Sequence, residues 1–136
     1  MVALVVNLGL KSVRCIAFTS DGRVLAQHSR PIRTSVSNER VEQDPREWQS
    51  LTWDVVRSVT SELGGRVDEV EFVTVTTSAS CLVPTDESGR PLRDAILVSD
   101  TRATKEATRL SNTVEFQGVR AEGGFSSSAD LMLPKI

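Results

Sequence analysis

Residues 2–23, VALVVNLGLKSVRCIAFTSDGR, constrain the fold more than any other stretch of the chain. Val2 to Val6 are apolar, which predicts a strand covered on both faces. Gly9 follows, a residue that lets the backbone turn tightly and lets a ligand approach. Ser12, Arg14, Ile16 and Phe18 then alternate with Val13, Cys15 and Ala17, the period of a second, half-covered strand. Asp21-Gly22 is a hairpin signal that leads into a third strand around Val24–Ser29. Taken alone, a strand, a glycine turn and a strand more commonly mean an ordinary hairpin than a turn that offers backbone N–H groups to a phosphate.

After a polar stretch from Thr34 to Gln43 without a clear period, Asp44-Pro45 marks a helix start. It offers a capping carboxylate, a proline at the first helical position and Glu47 where a capping box needs it. Trp48, Leu51, Val55, Val56, Val59 and Leu63 recur at helical spacing, and Gly64-Gly65 ends the run, so a helix is predicted over 45–63. Trp48 lies on the apolar stripe and reads as core; Trp53 falls off it and reads as exposed.

Strands are predicted within 70–99: Val70–Thr77, rich in β-branched residues, then Cys81–Thr85, a turn over 86–91, and Ala95–Ser99. A shorter helix is predicted over 103–110, and residues 111–136 form a loosely patterned tail. The three-strand meander of residues 2–30 followed by helix and strand gives an α/β class. Ile136 comes just after an apolar stretch with no closing element, which predicts a cut through a larger domain.

Charge and composition exclude several classes. A net charge of −2 gives no electrostatic case for nucleic acid or for an anionic membrane. No window approaches the roughly 20 apolar residues of a membrane span, and Met1–Leu10 lacks the basic start of a signal peptide. Cys15 and Cys81 have no metal-ligand spacing and read as reduced thiols of a cytoplasmic protein. His28, the single histidine, reads as a solvated or packed surface residue.

Four separated stretches together resemble the N-terminal part of the FGGY carbohydrate kinases, the family of glycerol kinase, xylulokinase and ribulokinase. Asn7-Leu-Gly-Leu-Lys-Ser-Val-Arg14 is similar to the family's Asp-x-Gly-Thr-Thr-Ser-x-Arg phosphate loop. Val41-Glu-Gln-Asp-Pro45 matches its Val-Glu-Gln-Asp-Pro run. Thr77 to Asp86, continuing to Asp100-Thr-Arg102, resembles the sugar-contacting strand, hairpin and Asp-x-Arg segment. Gly123-Gly124, Ser128-Ala-Asp130 and Pro134-Lys135 resemble its Gly-Gly…Ser-x-Glu…Pro-Lys segment.

The resemblance implies a ribonuclease H-like, actin-type ATPase fold, of which this chain is the incomplete N-terminal half of the first domain. It also implies transfer of the γ-phosphoryl of Mg-ATP to a hydroxyl of a pentulose or polyol. Gly9, Lys11, Ser12 and Arg14 would then bind the phosphate, and Ser78, Ser80, Asp100 and Arg102 the sugar. Asn7 stands where the family's metal-organising aspartate does and would hold a metal only weakly, through water. Leu10 and Lys11 replace paired threonines; lysine either supplies a charged donor or points to solvent. Asp100 also stands where a cap for a helix starting near Thr101 would.

The family's catalytic base lies in a later motif, so no catalytic residue is expected in this chain and no turnover from it alone. The partners implied are ATP and a small sugar or polyol, with homodimerisation through uncovered apolar surface. A non-catalytic sugar-binding or interaction module on the same fold is the alternative. A ribonuclease H-like nuclease is disfavoured because it needs converging carboxylates on two metals, and the first-strand position is Asn7.

Overall fold

The computed structural model describes residues 1–123 and 127–136. By internal contacts the chain divides into two compact units, Met1–Arg33 with Asp44–Ser78, and Thr34–Gln43 with Ala79–Ile136.

In the first unit, β1 (Val2–Leu8), β2 (Ser12–Thr19) and β3 (Val24–Pro31) form an antiparallel meander, and β6 (Val70–Thr77) joins the other edge of β1 in parallel, giving the order β3-β2-β1-β6. Gly22, at φ +83°, makes the tight turn between β2 and β3, where a side chain would be strained. Helix α1 (Pro45–Leu63) packs on one face of the meander. Its Val55, Val59 and Leu63 are buried with Val2, Leu4, Val6, Val13, Cys15, Ala17, Ala26 and Ile32. Burying each of these α1 side chains contributes roughly 1.5–3 kcal/mol.

The helix start is the one the sequence signals: Asp44 accepts a hydrogen bond from the Arg46 N–H at 2.9 Å, with Pro45 next. Glu47 is not the second half of a capping box. Its carboxylate takes the Arg33 N–H at 3.2 Å and the Arg33 side chain at 2.8 Å. Gly64, at φ +55°, ends the helix and opens a 3₁₀ turn over Gly64–Glu69. Trp48 is half-buried against the core, and Trp53 is exposed.

Full coverage of β1 on both faces does not hold. Val2, Leu4 and Val6 are buried beneath α1, whereas Ala3 and Val5 on the opposite face are only half-buried. His28 is half-buried on β3, with Nε2 2.8 Å from the Glu62 carboxylate of α1.

In the second unit, β4 (Ser35–Ser37), β5 (Arg40–Gln43) and the two-residue β7 (Ala95–Ile96) form a small sheet in that order. The stretch Thr34–Gln43, read as patternless, is therefore a hairpin. Its turn uses Asn38 at φ +53°, and Val36 pairs with Val41. The predicted strand Cys81–Thr85 does not form, since only Leu82 and Thr85 make single bridges, to Ile96 and Pro91. The strand expected over Ala95–Ser99 stops at Ile96, because a turn closes from Leu97 to Asp100 through the Asp100 N–H to the Leu97 carbonyl at 3.1 Å.

The turn over 86–91 is held by Asp86, whose Oδ1 accepts the N–H groups of Ser88 and Arg90. Helix α2 (Thr104–Ser111) comes where expected, and α3 (Val114–Gly123) occupies part of the tail that carried no signal. Ala95, Ile96, Leu97, Ala103, Ala107 and Pro134 are buried among the described residues of this unit. Among the described residues no helix is long and apolar enough to cross a membrane.

Candidate functional site

The parallel pairing of β1 with β6 brings together residues seventy positions apart in sequence. Both strands end at the same edge of the sheet, and the Ser78 N–H donates to the Leu8 carbonyl at 3.2 Å. The Gly9 turn and Ser78 are thus neighbours at the carboxyl ends of two adjacent parallel strands. Open α/β sheets place ligands outside such ends.

The Gly9 turn is closed by its own N–H, which donates to the Ser12 carbonyl at 3.1 Å, and the Lys11 carbonyl takes the Ile32 N–H at 3.0 Å. The Gly9 amide is therefore spent on the turn and is not a free phosphate donor. The glycine is there for space: a Cβ would sit 3.2 Å from Asn7 Oδ1 and 3.3 Å from the Ser12 carbonyl. Lys11 is exposed.

Register fixes which side chains share a face. Asn7 lies opposite Arg14 on one side and Thr76 on the other, and Arg14 lies opposite Ser29. Ser12 is two residues before Arg14 and so points the same way. Asn7, Ser12, Arg14 and Thr76 thus form a polar cluster on the sheet face away from α1, with Arg14 exposed. The residues in register on that face include no aspartate or glutamate, and among the described residues no group of three acidic, histidine or cysteine side chains could hold a metal ion. The side chains of the described residues do not fit a divalent cation held directly by them.

In the second unit, Asp100 is completely buried. Its Oδ2 accepts the Val41 N–H at 2.7 Å and Arg102 Nη2 at 2.5 Å; its Oδ1 accepts Arg102 Nε at 2.8 Å and the Arg102 N–H at 3.2 Å. Arg102 Nη2 also reaches Glu42 Oε1 at 2.9 Å, and Arg93 Nη2 closes on the same oxygen at 2.6 Å. A carboxylate has about four acceptor positions, and those of Asp100 are taken inside the protein.

Burial by itself would raise the carboxyls of Asp100 and Glu42. The hydrogen bonds from Arg102, with Val41 for Asp100 and Arg93 for Glu42, outweigh it and hold both below the ordinary carboxylate range. The same pairing raises the Arg102 guanidinium. Asp100 is not the cap of a helix beginning at Thr101: α2 starts at Thr104, with Ala103 before it and no side-chain cap. Arg102 likewise precedes the helix. Beside Arg102 lies a cleft of about 480 Å³ lined by Ser37, Asn38, Glu39 and Arg40.

Ser78 ends the first unit, and Ser80 lies in the second at φ +60°, a left-handed conformation unusual for serine. Sequence reasoning gave Lys135 no role, yet its ammonium lies 2.7 Å from the Leu97 carbonyl, 3.2 Å from Asp130 O and 3.4 Å from Ser80 O. Pro-Lys in a loose tail was the only signal, and it does not show what the lysine meets. Of the fourth family-like stretch, Gly124 lies outside the described residues.

The sequence pattern of the FGGY family of carbohydrate kinases, N-terminal domain, matches residues 2–135. The xylulose kinase of Streptomyces coelicolor is 35% identical over 100 residues, which are 74% of this chain and 19% of that protein. The glycerol kinase of Aquifex aeolicus is 30% identical over 119 residues, 85% of this chain and 23% of that one. Among solved structures, the xylulose kinase from Rhodospirillum rubrum superposes with a TM-score of 0.92 at 24% identity, over 99% of this chain and 28% of that one. Plasmodium falciparum glycerol kinase with ADP gives 0.80 at 16% identity, over 98% and 27%. The chain thus spans about a fifth of the length of the curated relatives it matches. These likenesses identify the fold as the N-terminal portion of the sugar-kinase, actin-like ATPase architecture, and the chain belongs to the FGGY family of carbohydrate kinases.

Proposed function

We propose that this chain is the N-terminal part of a cytoplasmic ATP-dependent sugar kinase, which transfers the γ-phosphoryl of ATP to a hydroxyl of a pentulose or polyol. Phosphoryl transfer of this kind depends on positioning and charge neutralisation, with a carboxylate accepting the hydroxyl proton. Ser12 offers a neutral donor to the phosphate and Arg14 an exposed cation; Lys11 can add a second charge. Gly9 keeps the turn narrow enough for a phosphate to approach. On the sugar side, Ser78 and Ser80 supply small hydroxyls, and Arg102 donates from a guanidinium that Asp100 and Glu42 hold still. Asp100 acts through Arg102, because its own lone pairs are already used.

ATP would bring any magnesium with it; no carboxylate of this sheet face waits to receive the ion, and no step is assigned to it. Proton acceptance from the sugar hydroxyl is not assigned to any residue here, so the chain alone has no kinase turnover.

What supports this reading is the Ser78–Leu8 hydrogen bond, which brings Ser78 beside the Gly9 turn at one end of the sheet. The test is a titration of the labelled chain with ATP and then with D-xylulose or glycerol, followed by a phosphoryl-transfer assay. Amide shifts at Gly9–Arg14 with ATP and at Ser78–Ser80 with sugar, without turnover, are expected. Turnover at enzyme-level rates, or silence at both segments, overturns it.

Asn7 and the carboxylate-free face also favour a second reading, a sugar-binding module without ATP chemistry. Sugar shifts without ATP shifts would select it.

A further inference from the structure

We propose that Lys135 is a positioning residue for the sugar-side segments: its ammonium pins Ser80 and the Leu97–Asp100 turn in their binding geometry. The proposal rests on the sugar reading given above. Four backbone carbonyls surround Lys135 Nζ, at 2.7 Å (Leu97), 3.2 Å (Asp130), 3.4 Å (Ser80) and 3.5 Å (Val98). They come from three stretches far apart in sequence, and one half-buried cation gathers them. An ammonium has three N–H donors, fewer than the carbonyls it meets, so none is left over for a substrate oxygen. Lys135 therefore organises the site and does not bind the sugar.

What it organises needs organising. Ser80 holds φ +60°, which a serine keeps only when its surroundings fix it. The Leu97 carbonyl accepts both Lys135 Nζ and the Asp100 N–H, so the pin and the turn share one oxygen. The same turn is docked on β5, through the Leu97 N–H to the Val41 carbonyl at 3.0 Å and the Val41 N–H to Asp100. Lys135 itself stands on a 3₁₀ turn, Leu133–Lys135, whose Pro134 is buried. A neutral side chain of the same length would take the Nζ donor away from the Ser80, Val98 and Asp130 carbonyls and leave Leu97 with the Asp100 N–H alone.

Lys11, Lys105 and Lys135 are the only lysines, so the ammonium signals of the ¹⁵N-labelled chain are three and can be assigned by substitution. In the unmodified chain the Lys135 ammonium protons should exchange with water about tenfold or more slowly than those of Lys11 and Lys105. In Lys135→Ala the Asp100 amide should exchange about tenfold faster, with the β1–β2 amides unchanged. Adding n-propylammonium should restore most of that protection, and tetramethylammonium, which carries charge but no N–H, should not. The Ser80 shift expected with D-xylulose should weaken by the same order and recover with the amine. Where Lys135→Ala fails to fold, Lys135→Met keeps the hydrocarbon stem and the wild-type ammonium measurement stands by itself.

A Lys135 ammonium that exchanges like the other two, or an Asp100 amide indifferent to its removal, overturns the proposal. So does equal rescue by both amines, which would reduce the effect to general screening. A protected ammonium with rescue by propylammonium, but no sugar response in the unmodified chain, overturns the sugar reading and leaves the pin in place.

Discussion

Arg102 grips Asp100 through two nearly parallel contacts, Nε to Oδ1 at 2.8 Å and Nη2 to Oδ2 at 2.5 Å, with Asp100 wholly out of solvent. A buried charge that loses its partner keeps its desolvation cost and loses the compensation. Arg102→Met should therefore destabilise the second unit by about 3 kcal/mol. Arg102→Lys should recover only part of this, because an ammonium cannot make the paired contact. Urea unfolding followed by a probe in that unit would measure both, and a loss below about 1 kcal/mol for Arg102→Met would contradict the account.

The same cluster sets an acid limit. Asp100 and Glu42 have folded-state carboxyls below their unfolded values, since Arg102 outweighs the effect of burial. A depressed carboxyl stabilises the fold at pH above its unfolded value, and that stability drains away as pH falls toward the folded one. Stability should hold steady above about pH 5 and decline through the ordinary carboxylate range near 4. Asp100→Asn should flatten the decline, as equilibrium unfolding across pH 3–7 would reveal.

Gly9→Ala brings a methyl to 3.2 Å from Asn7 Oδ1 and 3.3 Å from the Ser12 carbonyl. The side-chain oxygen can swing aside, but the backbone carbonyl accepts the bond that closes the turn. A stability loss of about 1 kcal/mol is expected, with a larger proportional loss of ATP-induced shifts at Ser12 and Arg14. An unchanged ATP response would separate this turn from the nucleotide.

Asn7→Asp places a carboxylate directly opposite Arg14. The cross-strand pair should change stability by less than about 1 kcal/mol. Its effect should appear when magnesium accompanies ATP: the variant should gain affinity on adding the metal, and the natural chain should gain little. Calorimetry with and without magnesium reads the difference, and equal metal dependence in both would remove Asn7 from the site.

Among the described residues β6 is paired on one side only, and its Phe72, Val73 and Val75 are 58%, 64% and 63% exposed. A long apolar edge strand recruits other strands. The chain should self-associate through β6 with rising concentration, and Val73→Lys with Val75→Lys should suppress it; light scattering that reports a monomer for the unchanged chain sinks this expectation.

Local signals read well from the sequence where one residue decides the geometry. Gly22 turns the β2–β3 hairpin, Asp44-Pro45 starts α1, and the Val55-Val59-Leu63 stripe faces the sheet. The β4–β5 hairpin escaped because Val36 and Val41 are its only large apolar residues and the rest is polar. Helix α3, with Gly118 in its middle, carries no apolar stripe to announce it.

The candidate site was legible as a set of residues and not as a set of bonds. Asp100 read as a ligand and also as a cap, because the Val41 N–H that it binds lies 59 positions away. Lys135 gave no sign of its carbonyl partners for the same reason: contacts made by folding leave no local period.

The two-sided pairing of β1 makes that strand intolerant of changes in length. It keeps step with β2 over seven residues and with β6 over the six from Ala3 to Leu8, hydrocarbon toward α1 and Asn7 away from it. Losing a single residue between Val2 and Val6 would exchange the two sides, driving Asn7 beneath the helix and its aliphatic neighbours into the polar cluster. Lineages descending from this chain should therefore gain and lose residues freely around the Asp86–Arg90 turn and never within β1.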